Sequence, residues 1–363
     1  ILDGVEYAKK IQNEWNPQDL ESMYERFKDD ANLVIFPDVD FSKVLDVGNM
    51  FHSCTNLEFT PNMNLSSCVS ASAMFDHCPS LKYVGDITFK EYNENDNGGY
   101  GSVGAGTMFS YSGITKVPKM YNTKSLMDCG SMFQYCSSLT EVDAFDISGL
   151  INSYGFAYMF NSCNILRRVG DFVLPPVVTA LPSTFAYCSK LEKVPNWNTQ
   201  NVTDFSGCFV SCGNLDITTF NWDTSMGDNF NMMFYDGGDN FLHAPSMNTS
   251  KAQNVDNMYG NCWNIQSVPE YDFSSLINPP TLFGWTECSQ LTELGGFKGL
   301  KIGWDYGLLD KCPNLTVESL MNVLNKLEDV SDNPQNCCLG EVNMAKLTPE
   351  QIQVATSKGW NVF

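Results

Sequence analysis

Ser131-Met132-Phe133-Gln134-Tyr135-Cys136-Ser137-Ser138-Leu139-Thr140-Glu141-Val142 reduces to Met-Phe-x-x-Cys-x-x-Leu-x-x-Val, and most of the chain is written in this pattern. The signature returns at Phe51/Cys54/Leu57, Phe75/Cys78/Leu81/Val84, Phe160/Cys163/Leu166/Val169, Phe185/Cys188/Leu191/Val194 and Phe209/Cys212/Leu215. It continues at Tyr259/Cys262/Ile265/Val268, Trp285/Cys288/Leu291/Leu294 and Leu309/Cys312/Leu315. Two degenerate copies, at Phe109 with Ser112 and at Phe234 with Gly237, lack the cysteine. The eleven copies follow one another at intervals of 24, 34, 24, 27, 25, 24, 25, 25, 26 and 24 residues.

A period this regular, within the 20–29-residue window of leucine-rich repeats, predicts a solenoid of stacked coils. One coil cannot bury its apolar side alone, so the same columns must recur from coil to coil. Leu-x-x-Val, followed by Gly or Pro in Val84-Gly85, Val117-Pro118, Val169-Gly170, Val194-Pro195 and Val268-Pro269, reads as a short strand with Leu and Val inward and a breaker after it. The Met-Phe pair reads as a turn or short helical segment on the opposite side, its ring filling the wide part of the coil. The Asn198-Thr199-Gln200-Asn201-Val202-Thr203 stretch is a polar turn ahead of it.

Iterated Met-Phe-x-x-Cys-x-x-Leu with Asn-Thr-x-Asn-Val-Thr resembles the BspA-type leucine-rich repeat surface proteins of gut and oral bacteria, over roughly residues 41–315. The segment from Leu294-Gly295-Gly296-Phe297 through Cys312-Pro313-Asn314-Leu315 and Ser319-Leu320-Met321 to Gly359-Trp360 resembles the terminal cap of such proteins, and similar caps occur on phage host-recognition fibres. The resemblance implies a non-catalytic binding or adhesion domain on a bacterial surface or secreted. Its alternative is a phage tail-fibre or virion domain that attaches to a host.

Residues 1–35 are expected to form a helical cap. Val5, Ala8 and Ile11 lie on one side of a helix over 4–14, and Asn16-Pro17 starts a second carrying Leu20, Met23, Tyr24 and Phe27. Repeats then fill 36–315, interrupted by an insertion at 90–106, and a C-terminal cap spans 316–363. In that cap Thr316 precedes a helix over 317–328, Thr348-Pro349-Glu350-Gln351 starts another, and 360–363 form a last strand.

Lys and Arg number 21 against 42 Asp and Glu, a formal charge of −21, which argues against phosphate backbones and anionic membrane surfaces as partners. No apolar run reaches the ~18 residues of a membrane span. The chain opens at Ile1, which reads as part of a longer polypeptide or assembly.

Nine of the fourteen cysteines (Cys54, Cys78, Cys136, Cys163, Cys188, Cys212, Cys262, Cys288 and Cys312) fall in one column. Parallel side chains about 4.8 Å apart do not meet the ~3.8 Å Cβ separation of a disulfide, so these thiols are expected to be free, buried and small. A linear column does not converge four ligands on zinc. Cys337-Cys338 also reads as two free thiols, with a bridge from either to another cysteine as the alternative. Asn95-x-Asn97-Gly98 in the insertion lacks the ligand spacing of a calcium loop. His52, His77 and His243 lie in no nucleophile or metal motif, and Cys78 is expected to point away from His77. No cofactor and no catalytic group is indicated.

Function is therefore expected on surfaces. The outward positions of stacked Leu-x-x-Val segments would form a ladder roughly 50 Å long. The candidate binding residues are Lys82, Tyr83, Lys116, Glu141, Arg167, Arg168, Glu192 and Lys193 on that face, with Tyr92 and Tyr100 of the insertion. Arg167-Arg168 stands out as a pair able to grip carboxylates, suggesting an acidic glycan or acidic protein patch as ligand. The rival reading has both arginines neutralising Glu141 and Glu192.

Overall fold

A computed structural model describes residues 4–15, 21–93 and 102–363. The chain divides into two compact units, Ile1–Lys190 with Pro195–Asn198, and Leu191–Val194 with Thr199–Phe363. Both are repeat folds of very short parallel strands with few helices.

In the first unit helix α1 (Gly4–Glu14) buries Ala8 and Ile11, while Val5 stays exposed. The Leu-x-x-Val segments supply β1 (Phe59–Thr60), β3 (Tyr83–Val84), β8 (Glu141–Val142) and β9 (Arg168–Val169). β1 pairs parallel with β3 and β8 with β9, the register placing Glu141 opposite Arg168. Leu57, Leu81, Leu139 and Leu166 are fully buried at the head of these segments, with both x positions outside.

The sequence did not foreshadow a second line of strands. β2 (Met63–Leu65), β4 (Ile87–Phe89) and β6 (Met120–Tyr121) form a parallel three-stranded sheet just beyond the Gly or Pro breaker, while β5 (Val103–Gly104) pairs with β7 (Leu126–Asp128). The breaker is a tight corner between two strands. A Cβ on Gly85 would lie 2.3 Å from Asn62 N and 2.4 Å from Pro61 C, so the coils pass too closely there for a side chain.

The Met-Phe turn is the most regular part of each coil. Its N–H groups alternate between folding back three residues and reaching the next coil: Met50 N to Val47 O at 3.1 Å, Phe51 N to Met74 O at 2.9 Å, His52 N to Asn49 O at 3.0 Å, Ser53 N to Asp76 O at 2.9 Å. That alternation requires left-handed backbone at two positions four residues apart. Such pairs recur as Asn49/Ser53, Ala73/His77, Thr107/Tyr111, Ser131/Tyr135, Tyr158/Ser162 and Ser183/Tyr187, with φ between 50° and 64°. Non-glycine residues rarely adopt this conformation, and here it is imposed by the ladder of coil-to-coil hydrogen bonds.

Behind the turns the phenylalanines form a stack. Phe51, Phe75, Phe109, Phe133, Phe160 and Phe185 lie 5.3–5.9 Å apart with planes within 11° of parallel, inside the range for favourable offset stacking. Beside them the thiols donate backwards to the preceding coil's Phe carbonyl: Cys54 to Phe27 O at 2.9 Å, and Cys78 to Phe51, Cys136 to Phe109, Cys163 to Phe133 and Cys188 to Phe160 at 3.0 Å. All fourteen cysteines are buried, and none is in a disulfide.

Two boundaries differ from the sequence reading. Residues 21–30 are a coil turn, not a second helix: Met23 N, Glu25 N, Phe27 N and Asp29 N donate to Asp46, Gly48, Met50 and His52 carbonyls, and Phe27 stacks on Phe51 at 5.9 Å. The helical spacing of Met23 and Phe27 arises because this turn is itself built of back-folded bonds. Asn16, Pro17 and Leu20 lie outside the described residues. The insertion assigned to 90–106 ends earlier, because Ala71 N and Ala73 N donate to Gly104 O and Gly106 O and put that stretch in register. Its centre, 94–101, lies outside the described residues.

The second unit repeats the same devices. β10 (Ser267–Val268) pairs with β12 (Glu293–Leu294), and β11 (Tyr271–Asp272) with β13 (Phe297–Lys298), all parallel. Phe209, Phe234 and Tyr259 form a ring stack of their own at 5.7 and 5.9 Å. Here the Asn-Thr turn acquires a visible purpose. Thr199, Thr224 and Thr249 are buried and donate to the next coil's carbonyls, Asp223 O, Asn248 O and Asp272 O, at 2.9–3.0 Å.

The sequence reading needs correcting at Trp285. Of the nine cysteine positions, Cys54 to Cys188 lie in the first unit and Cys212 to Cys312 in the second. The Cys212 thiol lies 3.8 Å from Val210 O of its own coil, as the Cys78 thiol lies 3.9 Å from Asp76 O. Cys288 stays in register, with Leu291 N donating to Cys288 O at 3.1 Å and Ser267 opposite Glu293, and only the ring of that coil is displaced. Tyr259 N donates to Leu282 O at 2.9 Å, which makes Leu282-Phe283 the Met-Phe pair of that coil, and both are fully buried. Trp285, expected in the ring column, is instead 77% exposed and stacks on Tyr306 at 5.4 Å. Cys288 therefore follows its ring by five residues where Cys136 follows Phe133 by three. Its thiol lies 3.8 Å from Thr286 O in the same coil, and its N–H donates to Lys311 O at 2.8 Å. Cys262 keeps the column geometry, donating to Phe234 O at 3.2 Å, whereas Cys312 donates to Leu308 O at 3.4 Å within its own coil.

The unit closes with α2 (Val317–Lys326), β14 (Gln335–Cys337), α3 (Glu341–Met344), α4 (Pro349–Thr356) and β15 (Trp360–Val362), which pairs with β14. Thr316 accepts from Ser319 N, and Thr348 with Gln351 forms a reciprocal capping box. Helix α2 also serves the strand edge: Ser319 Oγ accepts from Leu294 N at 2.9 Å, and Asn322 Nδ2 donates to Leu294 O at 3.3 Å.

Candidate functional site

The strand face of the first unit carries a groove of about 940 Å³. Its lining brings together Lys82, Tyr83, Lys116 and Glu141 from the candidate residues, and adds Asp86, Lys119, Met120 and Asp143. The first group stands on the Leu-x-x-Val line. The additions come from the second strand line and the corners leading to it, which is why the repeat signature alone did not point to them.

Each side chain is set by the coil register. Lys82 N and Tyr83 N both donate to Glu58 O, which aligns Tyr83 with Phe59 one coil earlier. Their rings stack at 5.1 Å with planes 5° apart, and both remain solvent-exposed. Lys82 Nζ lies 3.0 Å from Glu58 Oε2 in an exposed pair of little energetic worth. Lys116 is exposed, and Lys119 Nζ sits 4.6 Å from the Tyr121 ring centroid. The Tyr121 hydroxyl raises the Lys119 pKa, so that cation persists at any physiological pH. Tyr121 in turn donates to Asp86 Oδ2 at 3.3 Å. The groove thus sets Tyr83, stacked on the neighbouring Phe59, beside three lysines in a chain of net charge −21.

Arg168 is already engaged. Its Nη2 donates to Asp143 Oδ1 at 2.8 Å and to Glu141 Oε2 at 2.9 Å, and these contacts, Asp143 first, raise its pKa. The side chains of Arg168, Glu141 and Asp143 are 52%, 59% and 81% exposed, so the arrangement orients the guanidinium without burying it. This geometry matches the neutralising role for Arg168 towards Glu141. Arg167 is exposed, and its backbone N–H donates to Thr140 O at 2.8 Å. Glu192 and Lys193 belong to the second unit, where Asp216 N donates to Glu192 O at 3.0 Å. Tyr92 lies beneath Lys124 Nζ at 4.4 Å, and Tyr100 falls outside the described residues.

The chain matches the family described as "Mycoplasma protein of unknown function, DUF285" over residues 3–88 and 178–291. It belongs to that family. No curated protein matches this DUF285 chain. Two solved structures are similar to it. One is a leucine-rich repeat protein from Bacteroides ovatus ATCC 8483, 16% identical, with 77% of this chain and 76% of that chain covered and a TM-score of 0.35. The other is a leucine rich cell surface protein from Faecalibacterium prausnitzii A2-165, 15% identical, with 91% and 82% covered and a TM-score of 0.36. At these scores the fold assignment rests on the coil geometry above. Among the described residues no helix is long and apolar enough to cross a membrane.

Proposed function

We propose that this DUF285 chain is a non-catalytic recognition module of a bacterial cell surface or secreted protein, binding a protein or glycan through the strand-face groove of its first unit. The observation that carries the reading is the exposed Phe59–Tyr83 stack beside Lys82, Lys116 and Lys119. Nothing in coil packing requires two aromatic rings to face solvent, and stacked rings supply the flat apolar platform that sugar faces and protein side chains dock on. Three cations in an acidic chain favour a ligand bearing carboxylates. Because Arg168 is satisfied by Glu141 and Asp143, ligand contact shifts towards the lysines and Tyr83.

Binding to an array of glycans and host proteins tests the proposal. Tyr83→Ala and a Lys82→Ala/Lys116→Ala double variant are expected to lose the signal while melting like the parent protein. Ligand binding unaffected by both variants would place recognition elsewhere.

A further inference from the structure

Two of the three histidines, His52 and His77, meet on the turn line of the first unit, with Asp76 between them. They are one coil apart in sequence, and the coil-to-coil ladder holds them: Ser53 N donates to Asp76 O at 2.9 Å, and His77 N to Ser110 O at 2.9 Å. His52 Nε2 lies 3.4 Å from Asp76 Oδ2, and His77 Nδ1 lies 2.9 Å from Asp76 Oδ1. One ligand atom from each of the three residues falls within 4.8 Å of the others, the one such group of His, Cys, Asp and Glu among the described residues.

We infer that His52, Asp76 and His77 form a binding site for a divalent transition metal of the zinc type. Tetrahedral bonds of about 2.0–2.2 Å place ligand atoms about 3.3–3.6 Å apart, which the His52–Asp76 separation of 3.4 Å matches and the His77–Asp76 separation of 2.9 Å reaches with a small outward shift of the exposed His77 ring. Asp76 Oδ1 is shut off from solvent and accepts no hydrogen bond, although His77 Nδ1 is its close neighbour. A buried carboxylate oxygen left in that state is costly, and a cation between it and the two rings would satisfy it. The outer contacts suit a metal as well. Ser53 Oγ lies 3.0 Å from His52 Nδ1, fixing the ring with Nε2 turned towards Asp76, and the His77 ring is stacked on Tyr111 at 4.3 Å. Two imidazoles with one carboxylate select zinc, nickel, copper or iron over calcium or magnesium, which prefer oxygen. Cys78 does not compete, because its thiol points inward to Phe51 O. Three protein ligands leave at least one coordination position open, and His77, 49% exposed, turns that position to solvent.

Zinc and cobalt titrations of the intact chain test the site. One equivalent of Zn²⁺ should bind and raise the melting temperature. His52→Asn, Asp76→Asn and His77→Asn should each weaken zinc at least about tenfold, as losses in a metal's coordination shell do. Asn suits the left-handed backbone at position 77, so that variant tests the ligand without disturbing the turn. His243→Asn should bind zinc like the parent. Co²⁺ should give d–d bands without a sulfur-to-cobalt charge-transfer band. Zinc that leaves the parent's melting temperature unchanged would overturn the inference. Equal affinity in a His52→Asn/His77→Asn double variant, or a cobalt spectrum dominated by thiolate, would do the same.

Discussion

Raising the pH above about 9 should unfold the first unit, and the cause lies in its column of thiols. Burial pushes the Cys136 thiol up to about 12, a shift that its Ser112 neighbour only partly opposes. The same cause raises Cys54 to about 12 and Cys68 to about 11, and drives Cys78, Cys129 and Cys163 upward as well. An unfolded thiol ionises near pH 8.5, whereas the folded thiol keeps its proton. The neutral form is therefore stabilised by folding. Its contribution is complete below the unfolded value and is lost as pH climbs towards the folded one. Each such group removes about 1.4 kcal/mol per pH unit across that window, so Cys136 alone would cost up to roughly 4 kcal/mol by pH 12. Several thiols titrating together set a slope of several kcal/mol per pH unit against a total stability of about 5–15 kcal/mol. Thermal melts followed by circular dichroism should be flat between about pH 6 and pH 8, then fall steeply to unfolding within one to two pH units above about 9. Thiolate absorbance should rise only with that unfolding. Thiols that titrate near pH 9 while the fold persists, or stability unchanged through about pH 10.5, would refute the reasoning.

A thiol-reactive dye at neutral pH should label no column cysteine until denaturant is added, and mass mapping that finds a Cys54–Cys78 or Cys163–Cys188 bridge would contradict the free-thiol geometry. Arg168→Ala should leave urea melts nearly unchanged, because both of its carboxylate partners are more than half exposed. Deleting residues from Thr316 onward removes Ser319 and Asn322 from the Leu294 backbone and bares an apolar strand edge, so light scattering should show aggregation of the truncated chain. Asn49→Val should cost on the order of 1–2 kcal/mol by denaturant titration while Asn49→Gly is neutral or stabilising, since φ at this position is 52°.

The core columns could be read from the sequence because each recurs once per coil. Phe133, Cys136, Leu139 and Val142 are buried for the reason that makes their copies recur. The same rule misplaced Trp285, which stands three residues before Cys288 as a column ring should, while the true ring, Phe283, is displaced by two residues that no spacing argument reveals. The second strand line escaped notice because Ile87 and Met120 follow a breaker without a fixed motif, so the corner at Gly85 resembled an end. The helix expected after Asn16-Pro17 gave way to a turn over residues 21–28 because Met23 and Phe27 have a spacing that suits an α-helix and a back-folded turn equally. Lys119, Met120 and Asp143 of the groove were invisible for the same reason as the second line. The His52–Asp76–His77 group did leave a trace, two histidines separated by one coil length. The repeat signature already aligns position 52 with 76, but only the structure shows both imidazoles turned onto the Asp76 carboxylate, at 3.4 and 2.9 Å.

The paired left-handed positions restrict what evolution can write on the turn surface. Among the described residues no valine or isoleucine occupies any of these sites, Thr107 is the one β-branched residue and Met232 the one long apolar chain; the rest are small, polar or flat-ringed. A face assembled under this rule cannot become a greasy aliphatic patch, however the sequence drifts. Diversity on that side must instead come from a short alphabet of serine, asparagine, aspartate, histidine and tyrosine, whose side chains donate, accept or stack. His77, Tyr111 and Tyr135, lined up at 4.3 and 4.1 Å, are one word spelled in those letters.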